Sequence, residues 1–532
     1  MSTDSIEIST EEMDALIGRI EEALREGLSL EPADISLILK IIRHFAFMQE
    51  RLQGNEVMKQ RYLKLLGLVG SSETQKQLFD RKRSKPRQRT KKPRQTTPPR
   101  TPKVYHHELE GLEKGQLCPA CGEGRLYKYE PASFVRIVGQ APLSAERHVM
   151  KQLRCALCGE LYTAPLPEEV LQDGVRGQSY GYSARAMMAL NKFFMGSPYF
   201  RQENLQKLLG VTISASSVYD QCAQLAALAE PLQAALRDQA AQAGLFYLDD
   251  TGHRILDQQP IEKPNRRGQG TRTRSGVYTS GVIALDGDGH RIVLFQTNIG
   301  HAGEWIDEIL SARDSALAPP VVMSDALASN TPLIETQQAL CNAHARRKFV
   351  DVINHFPESV ELVLTTYAAI WQHDDESRAQ NYTPEQRRDY HAEHSLPVMK
   401  MLKQWGESQL SDGEVEANSG LGKAIQYLLN HYQGLSAFCR IPAAPIDNNL
   451  MEATLKLIAT SRKNSYFYKT LAGAKVGDGL TSLIATCELN GVNAFDYLVA
   501  IQRHHHEVSR NPESWLPYRV RDELTTQENQ AA

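Results

Sequence analysis

The chain has 532 residues, 41% hydrophobic and 23% charged, with a net charge of −3. That balance is the one expected of an ordinary soluble protein of three or four domains, and it excludes collagen-like and membrane-embedded classes. No run approaches the roughly 18 uncharged apolar residues of a membrane-spanning helix. The acidic start MSTDSIEISTEEMD lacks the layout of a secretory signal, and eight cysteines are too few for a disulfide scaffold. The cytoplasm is the expected compartment.

Residues 9–69 read as helix. Glu11 and Glu12 follow Thr10, where acids favour a helix start, and apolar residues recur at Ile35, Ile38, Ile42, Phe45, Leu52, Leu63 and Leu66. A short coiled coil or a helical hairpin fits, serving self-association or packing within one chain. Residues 81–103, beginning Arg81-Lys82-Arg83, hold eleven Lys or Arg and no acid, leaving −14 for the remainder. So charged and proline-rich a run builds no core. It is either a solvated spacer or an arm for nucleic acid, whose phosphates exchange counterions for such cations.

Cys118 and Cys121, then Cys155 and Cys158, form two C-x-x-C pairs, each followed by glycine. Four thiolates on two tight knuckles suit the tetrahedral preference of Zn²⁺, and such a closed site serves folding. Residues 183–240 read as helices, with a turn around Gly210 and a second start capped near Ser214 or Ser216. This is a helix-turn-helix pattern or a plain helical connector.

From residue 245 the periodicity changes to α/β. A strand, LFYL, ends at Asp249, Asp250 and Thr251, and a loop with Arg266, Arg267, Arg272 and Arg274 follows. Strand-like runs at 277–285 and 290–298 are joined by the hairpin signal Asp-Gly-Asp-Gly. A helix near 302–313, a strand at 320–323 ending in Ser324 and Asp325, and a strand at 338–341 before a basic helix complete this part. Residues 353–435 look like a helical insertion, after which the α/β domain resumes with IDNNLMEATLKLIATSRKN.

Asp249, Asp325 and Glu452 fall where function would place them, at two strand ends and near a helix start. Carboxylates around such a crevice are natural ligands for Mg²⁺, and a pair of ions can serve phosphodiester chemistry. The structural alternatives are turn or cap roles for Asp249, Asp250 and Asp325, and an Asn449/Glu452 capping box. Arg346, Arg347 and Lys348, and Arg462 and Lys463, supply cations nearby. Glu376 in the insertion is the reserve acid. The run His504-His505-His506 reads as an exposed helix without a role.

The segments QLFDRKRSK (77–85), the four cysteines, LDDTGHRIL (248–256), VVMSDA (321–326), CNAHARRKF (341–349) and DNNLMEATLKLIATSRKNSYF (447–467) together resemble bacterial transposases of the insertion sequence 66 family. The resemblance runs in order along nearly the entire chain. It implies an RNase H-like core with a DDE carboxylate triad, carried here by Asp249, Asp325 and Glu452, that binds two Mg²⁺ or Mn²⁺ ions. The family segment usually reads Asp-Glu-Thr at the first position, so Asp249-Asp250-Thr251 leaves a register ambiguity. SDALASN departs from the aromatic residues usual after the second aspartate. Cys341 and His344 match a C-x-x-H signature, with His344 a candidate support for the triad.

The expected architecture is a multidomain α/β protein, an RNase H-like core with a helical insertion preceded by helical or coiled-coil, zinc-ribbon and helix-turn-helix-like segments. Residues 1–80 form the helical region, 81–108 the basic linker, 109–170 the zinc ribbon with one structural Zn²⁺, and 171–242 the helix-turn-helix-like segment. The core occupies 243–352 and 441–503 around the insertion at 353–440, and 504–532 is a tail. The expected function is metal-dependent cleavage and strand transfer at insertion-sequence ends. DNA is the partner, touched by Arg81, Lys82, Arg83, Arg346, Arg347, Lys348, Arg462 and Lys463. A homo-oligomer is expected, with accessory proteins of the same element and no membrane. The rivals are a metal-dependent nuclease or resolvase on the same core, and a DNA-binding repressor with a decayed site.

Overall fold

A computed structural model describes residues 10–26, 30–35, 37–38, 114–117, 119, 125–126, 140–154, 161–174, 178–265, 268 and 270–520. The chain divides into two compact units, 1–89 with 347–365, and 90–346 with 366–532. In the first, helix α1 spans Thr10–Glu26 and residues 32–35 are helical again. Arg19 donates Nε and Nη2 hydrogen bonds to the two Asp34 carboxylate oxygens at 3.1 and 3.0 Å.

In the second unit, the first strands among the described residues are an antiparallel pair, β1 (Gln152–Arg154) and β2 (Leu161–Thr163). Helices α2 (Glu168–Gln172), α3 (Tyr182–Phe193), α4 (Tyr199–Leu208), α5 (Ala215–Leu228) and α6 (Glu230–Ala241) follow. Gly210 takes φ +87° in the turn between α4 and α5, a conformation that favours glycine. Ser214 caps α5 by accepting the Ser217 N–H at 3.1 Å.

Next come β3 (Leu245–His253), the β4 (Ile261–Pro264) and β5 (Thr271–Arg274) hairpin, β6 (Val277–Leu285), β7 (Arg291–Asn298), helix α7 (Ala302–Leu310), β8 (Val321–Ser324) and β9 (Gln337–Leu340). The central sheet has the order β7-β6-β3-β8-β9, antiparallel from β7 to β3 and parallel from β3 to β9. Helices α8 (Asn342–Val350) and α9 (Pro357–Ala379) follow. α10 (Pro384–Ser411), α11 (Gly420–Asn430) and α12 (Tyr432–Leu435) complete the helical stretch, and α13 (Asn449–Ser465), α14 (Leu471–Leu489), α15 (Ala494–Arg503) and α16 (His505–Arg510) close the fold.

Strand alternation splits the sheet's side chains between two cores. Phe246, Leu248, Val282, Ala284, Ile292 and Leu294 join the large core with α3, α5, α6, α7 and α14. Ile283, Val293 and Phe295 face the other way, onto Met451, Leu455 and Ile458 of α13.

The open edge of the sheet is closed by side chains rather than by another strand. On α14 and its C-cap, Asp478, Ser482, Thr486 and Asn490 recur every fourth residue. They accept the N–H groups of Thr297, Phe295, Val293 and Arg291 at 2.6, 2.9, 3.0 and 3.0 Å. Four helical residues rise about 6 Å and two strand residues about 6.6 Å, so the two repeats stay in step. A paired edge offers no template for another strand.

Two expectations need correction. β3 continues through the acids to His253, because β6 pairs with it over its whole length (Leu245↔Leu285 to His253↔Val277). Within the stretch expected as an Arg-rich loop, Arg272 and Arg274 lie on β5, where pairing with β4 and the Lys263 and Arg274 contacts to Glu304 fix a hairpin. Arg266 and Arg267 lie outside the described residues.

Candidate active site

Asp249 on β3 and Asp325, just past the end of β8, occupy matching positions along two neighbouring parallel strands. Tyr247 pairs with Met323, the last pairing between β3 and β8, and each aspartate lies two residues beyond. There β8 ends while β3 continues against β6, so the two carboxylates stand where parallel pairing stops.

Alternation also separates Asp249 from Asp250. Asp249 shares the face of Tyr247, which packs with the α13 core. Asp250 shares the opposite face with Leu248, where its Oδ2 lies 2.7 Å from Nδ1 of His301 at the start of α7.

Glu452 reaches the first of these faces from the first turn of α13. The cross-strand partner of Asp249 is Gly281. A Cβ there would fall 2.4 Å from Met451 Cε and 3.1 Å from Phe295 Cε1, so glycine lets α13 lie this close to the strand carrying it without displacing the Met451 tip and the Phe295 ring. The capping box considered for Asn449 and Glu452 is not what starts this helix. The N-cap is Asn448, without a side-chain capping bond, and the Asn449 N–H donates to Asp447 Oδ1 at 3.1 Å.

Burial pushes the Asp249 carboxyl up to about 7; the charges of Asp325, Glu452 and Asp250 add to the rise, and the Asp250 N–H opposes it. Asp325 also closes its own turn, its Oδ1 accepting from Leu327 N–H at 3.1 Å and Asn330 Nδ2 at 2.9 Å. Glu452 Oε1 lies 3.5 Å from His344 Nδ1. Ligand atoms of Cys341, His344 and Glu452 fall within 4.8 Å of one another, a grouping the two aspartates do not share. Burial pushes the Cys341 thiol up to about 12, so it is protonated at neutral pH.

Asn448 ties these parts together from a fully buried position. Its backbone N–H donates to Cys341 Sγ at 3.2 Å, its Nδ2 to the carbonyl of Leu248 at 2.8 Å, and its carbonyl accepts the Glu452 N–H at 3.1 Å. Asn342 binds the strap before it, donating Nδ2 to the carbonyls of Leu435 and Ile446 at 2.9 and 3.1 Å. Trp371 Nε1 donates to Asp447 Oδ2 at 3.0 Å.

The model of the family described as "Transposase IS66 family" matches residues 177–476, more than half of the chain. The chain belongs to the IS66 transposase family. This family member is also similar to two proteins of Sinorhizobium fredii (strain NBRC 101917 / NGR234), y4jD and y4qI, both described as uncharacterized. The first is 26% identical over 423 residues, covering 73% of this chain and 75% of the relative. The second is 24% identical over 404 residues, covering 74% and 69%.

The structure places Asp325 and Glu452 near enough for their charges to act on Asp249, sets His344 3.5 Å from Glu452, and puts Asp250 on the opposite face of the sheet. Of the cations expected near the IS66 site, Arg462 is bound into the fold, donating to Thr251 Oγ1 at 2.8 Å and to the Gly252 carbonyl. Lys463, Arg347 and Lys348 are exposed and Arg346 is half-buried. Cys118, Cys121, Cys155 and Cys158 lie outside the described residues, as do Arg81, Lys82 and Arg83. Antiparallel pairings flank both C-x-x-C pairs, Leu117 with Arg125 and Arg154 with Leu161. Among the described residues no helix is long and apolar enough to cross a membrane.

Sequence reasoning missed Asn448, His301, Gly281 and Tyr427. Burial pushes the Tyr427 phenol up to about 12, the Asp325 and Cys341 charges add to the rise, and the Ala326 N–H opposes it, which puts α11 of the helical stretch beside the second aspartate. The DNN run was the one available signal for Asn448, and its side chain offered no hint of which carbonyl it would bind.

Proposed function

We propose that this transposase cleaves and joins DNA strands at a divalent-metal site held by Asp249, Asp325 and Glu452 on an RNase H-like core. The observation carrying the reading is the matched placement of Asp249 and Asp325, each two residues beyond the last β3–β8 pairing, with α13 and Glu452 near its start packed over that face of the sheet. The residues fit the ion. All three donors are carboxylates, as Mg²⁺ and Mn²⁺ prefer, and the Asp249 carboxyl, raised first by burial and then by the charges of Asp325 and Glu452, is one that a cation would stabilise. Bound there, two such ions would supply Lewis acidity and a more acidic water.

The chain's own contribution is positioning. Asn448 fixes the start of α13 against β3 and so sets where Glu452 stands relative to Asp249. His344 steadies the Glu452 carboxylate from α8. Asp325 closes its own turn through Oδ1, which leaves Oδ2 outside that turn and available to an ion. His301 holds Asp250 on the far face, which supports Asp249 as the first ligand. The basic linker, the zinc ribbon of the four cysteines and the α4–α5 segment hold DNA, and joining two ends calls for at least two copies. Accessory proteins of the same element fit this picture.

The test is cleavage and strand transfer on labelled DNA carrying the sequences that flank the gene, beside a gel-shift assay. Alanine at Asp249, Asp325 or Glu452 should cost on the order of a thousandfold in rate, about 4 kcal/mol in the barrier, with binding retained. Asp250→Asn should be far milder than Asp249→Asn. Near-normal cleavage by Glu452→Ala would overturn the assignment and point to another acid such as Glu376. Cleavage by the wild-type chain without joining would make it a nuclease.

A further inference from the structure

Beyond the carboxylates, an unusual backbone lies at the far end of α13, where Tyr466 is one of three non-glycine residues of positive φ among the described residues. Tyr466 has φ +63° and ψ −37°, outside both the helical and the ordinary left-handed regions. The Phe467 N–H donates to the Ser465 carbonyl at 2.8 Å, two residues back, while the Tyr466 N–H donates to Arg462 at 2.7 Å. This is a three-residue γ-turn of the rare, strained hand. Glycine would adopt it more cheaply. Nor does packing explain the tyrosine, since Tyr466 is 73% and Phe467 43% exposed.

The surroundings hold this turn rigidly. Lys192 Nζ donates to Ser465 Oγ at 2.7 Å, and Asn464 Nδ2 to the Gly196 carbonyl at 2.9 Å. Beyond it, Tyr468 N–H donates to Arg254 at 2.9 Å and Leu256 N–H to Tyr468 at 3.0 Å, and the Tyr468 ring stacks on His253. Two exposed aromatic residues are thus held at and beside a strained backbone position, the kind of cost that persists at ligand-gripping sites.

The charge around them names the partner. Arg254, Lys463 and Lys469 are exposed in the same segments, against one exposed acid, Asp257. Cations interleaved with exposed rings complement a nucleic-acid strand, phosphates to the former and base faces to the latter. Fourteen residues of α13 separate Tyr466 from Glu452, about 21 Å of helix, the length of roughly six base steps. A strand whose phosphate sits at the carboxylate site and which follows the direction of α13 would come to the rings.

We propose that Tyr466 and Phe467 stack on unpaired bases of the DNA strand about six nucleotides from the phosphate held at Asp249, Asp325 and Glu452. The inference rests on the metal-dependent strand chemistry above and adds a base-holding contact to it.

The experiment is fluorescence anisotropy of the full chain with a labelled 20-nucleotide single strand and with its duplex. It compares wild type, Tyr466→Phe, Tyr466→Ala, Tyr466→Gly and Phe467→Ala. Each alanine variant should weaken single-strand binding about tenfold and duplex binding much less, with the salt dependence unchanged because no cation is removed. Tyr466→Phe should bind like wild type. Tyr466→Gly relieves the turn, so it should melt no lower than wild type and still lose strand affinity, which separates lost stacking from a damaged fold. Equal single-strand affinity across the series overturns the proposal. So does a change in oligomeric mass with strand affinity intact, which would assign the rings to a protein surface. If Asp249→Asn cleaves normally while Tyr466→Ala loses strand affinity, the catalytic reading fails and this contact stands; the reverse pair of results does the opposite.

Discussion

Asp478 allows a stability prediction whose sign and size follow from its surroundings. It sits inside α14 against the sheet edge, buried, its two oxygens accepting the N–H and the hydroxyl of Thr297 at 2.6 Å each. Burial pushes the carboxyl up to about 7 from an ordinary 3.8, although both Thr297 bonds favour the charged form. Between those values the folded chain holds a proton that the unfolded chain releases. Stability is therefore greatest below about pH 4, falls as pH rises and levels off above about 7. The accumulated cost there is about 4 kcal/mol at 1.36 kcal/mol per unit.

Asp478→Asn removes the charge and keeps both contacts. The amide oxygen accepts the Thr297 N–H, and the amide nitrogen donates to Thr297 Oγ1, whose proton turns to Thr279 Oγ1, 2.7 Å away. For a unit of this size 1 kcal/mol moves the melting midpoint by about 1–2 °C. The variant should melt about 4–8 °C above wild type at pH 8, with the gap shrinking to about a third at pH 5. Near-ultraviolet circular dichroism melts from pH 5 to 8.5 measure it. A gap that does not change with pH, or a less stable variant at pH 8, refutes the claim that an uncompensated buried charge sits at this edge.

Metal analysis of purified protein should give about one zinc per chain, and a Cys155→Ser, Cys158→Ser double variant should lose it; unchanged zinc content removes the ribbon. Deleting residues 81–103 should weaken binding to specific and random DNA alike and flatten the slope of log K against log salt, whereas an unaltered slope means that the run does not touch phosphate. Asn448→Ala leaves the buried Leu248 carbonyl without its donor, a cost of about 1–3 kcal/mol, and frees the start of α13. It should lower the melting midpoint and raise the Mn²⁺ concentration needed for half-maximal cleavage, and normal metal dependence would reduce Asn448 to a packing residue.

Much of the α/β core is legible locally. The runs 277–285 and 290–298 with Asp-Gly-Asp-Gly between them become β6, β7 and their turn, because alternation and turn chemistry act over a few residues. The Gly210 turn and the Ser214 cap are legible for the same reason. The acids of the candidate site stand out as residue types near strand and helix ends. Other features depended on partners far away in sequence. Where β3 ends was decided by β6, about thirty residues on, which pairs with it past the acids. Asp249 and Asp250 are equivalent until one knows which sheet face α13 covers, and that is set by Met451 and Leu455 packing at Gly281, some two hundred residues from the first aspartate. The Asp478–Asn490 stripe looks like a mid-helix anomaly until a strand edge with matching spacing lies beneath it. Asn448, Tyr427 and the strained turn at Tyr466 belong to the same class. Sequence determines which groups are available, and only the folded chain determines which atoms they face.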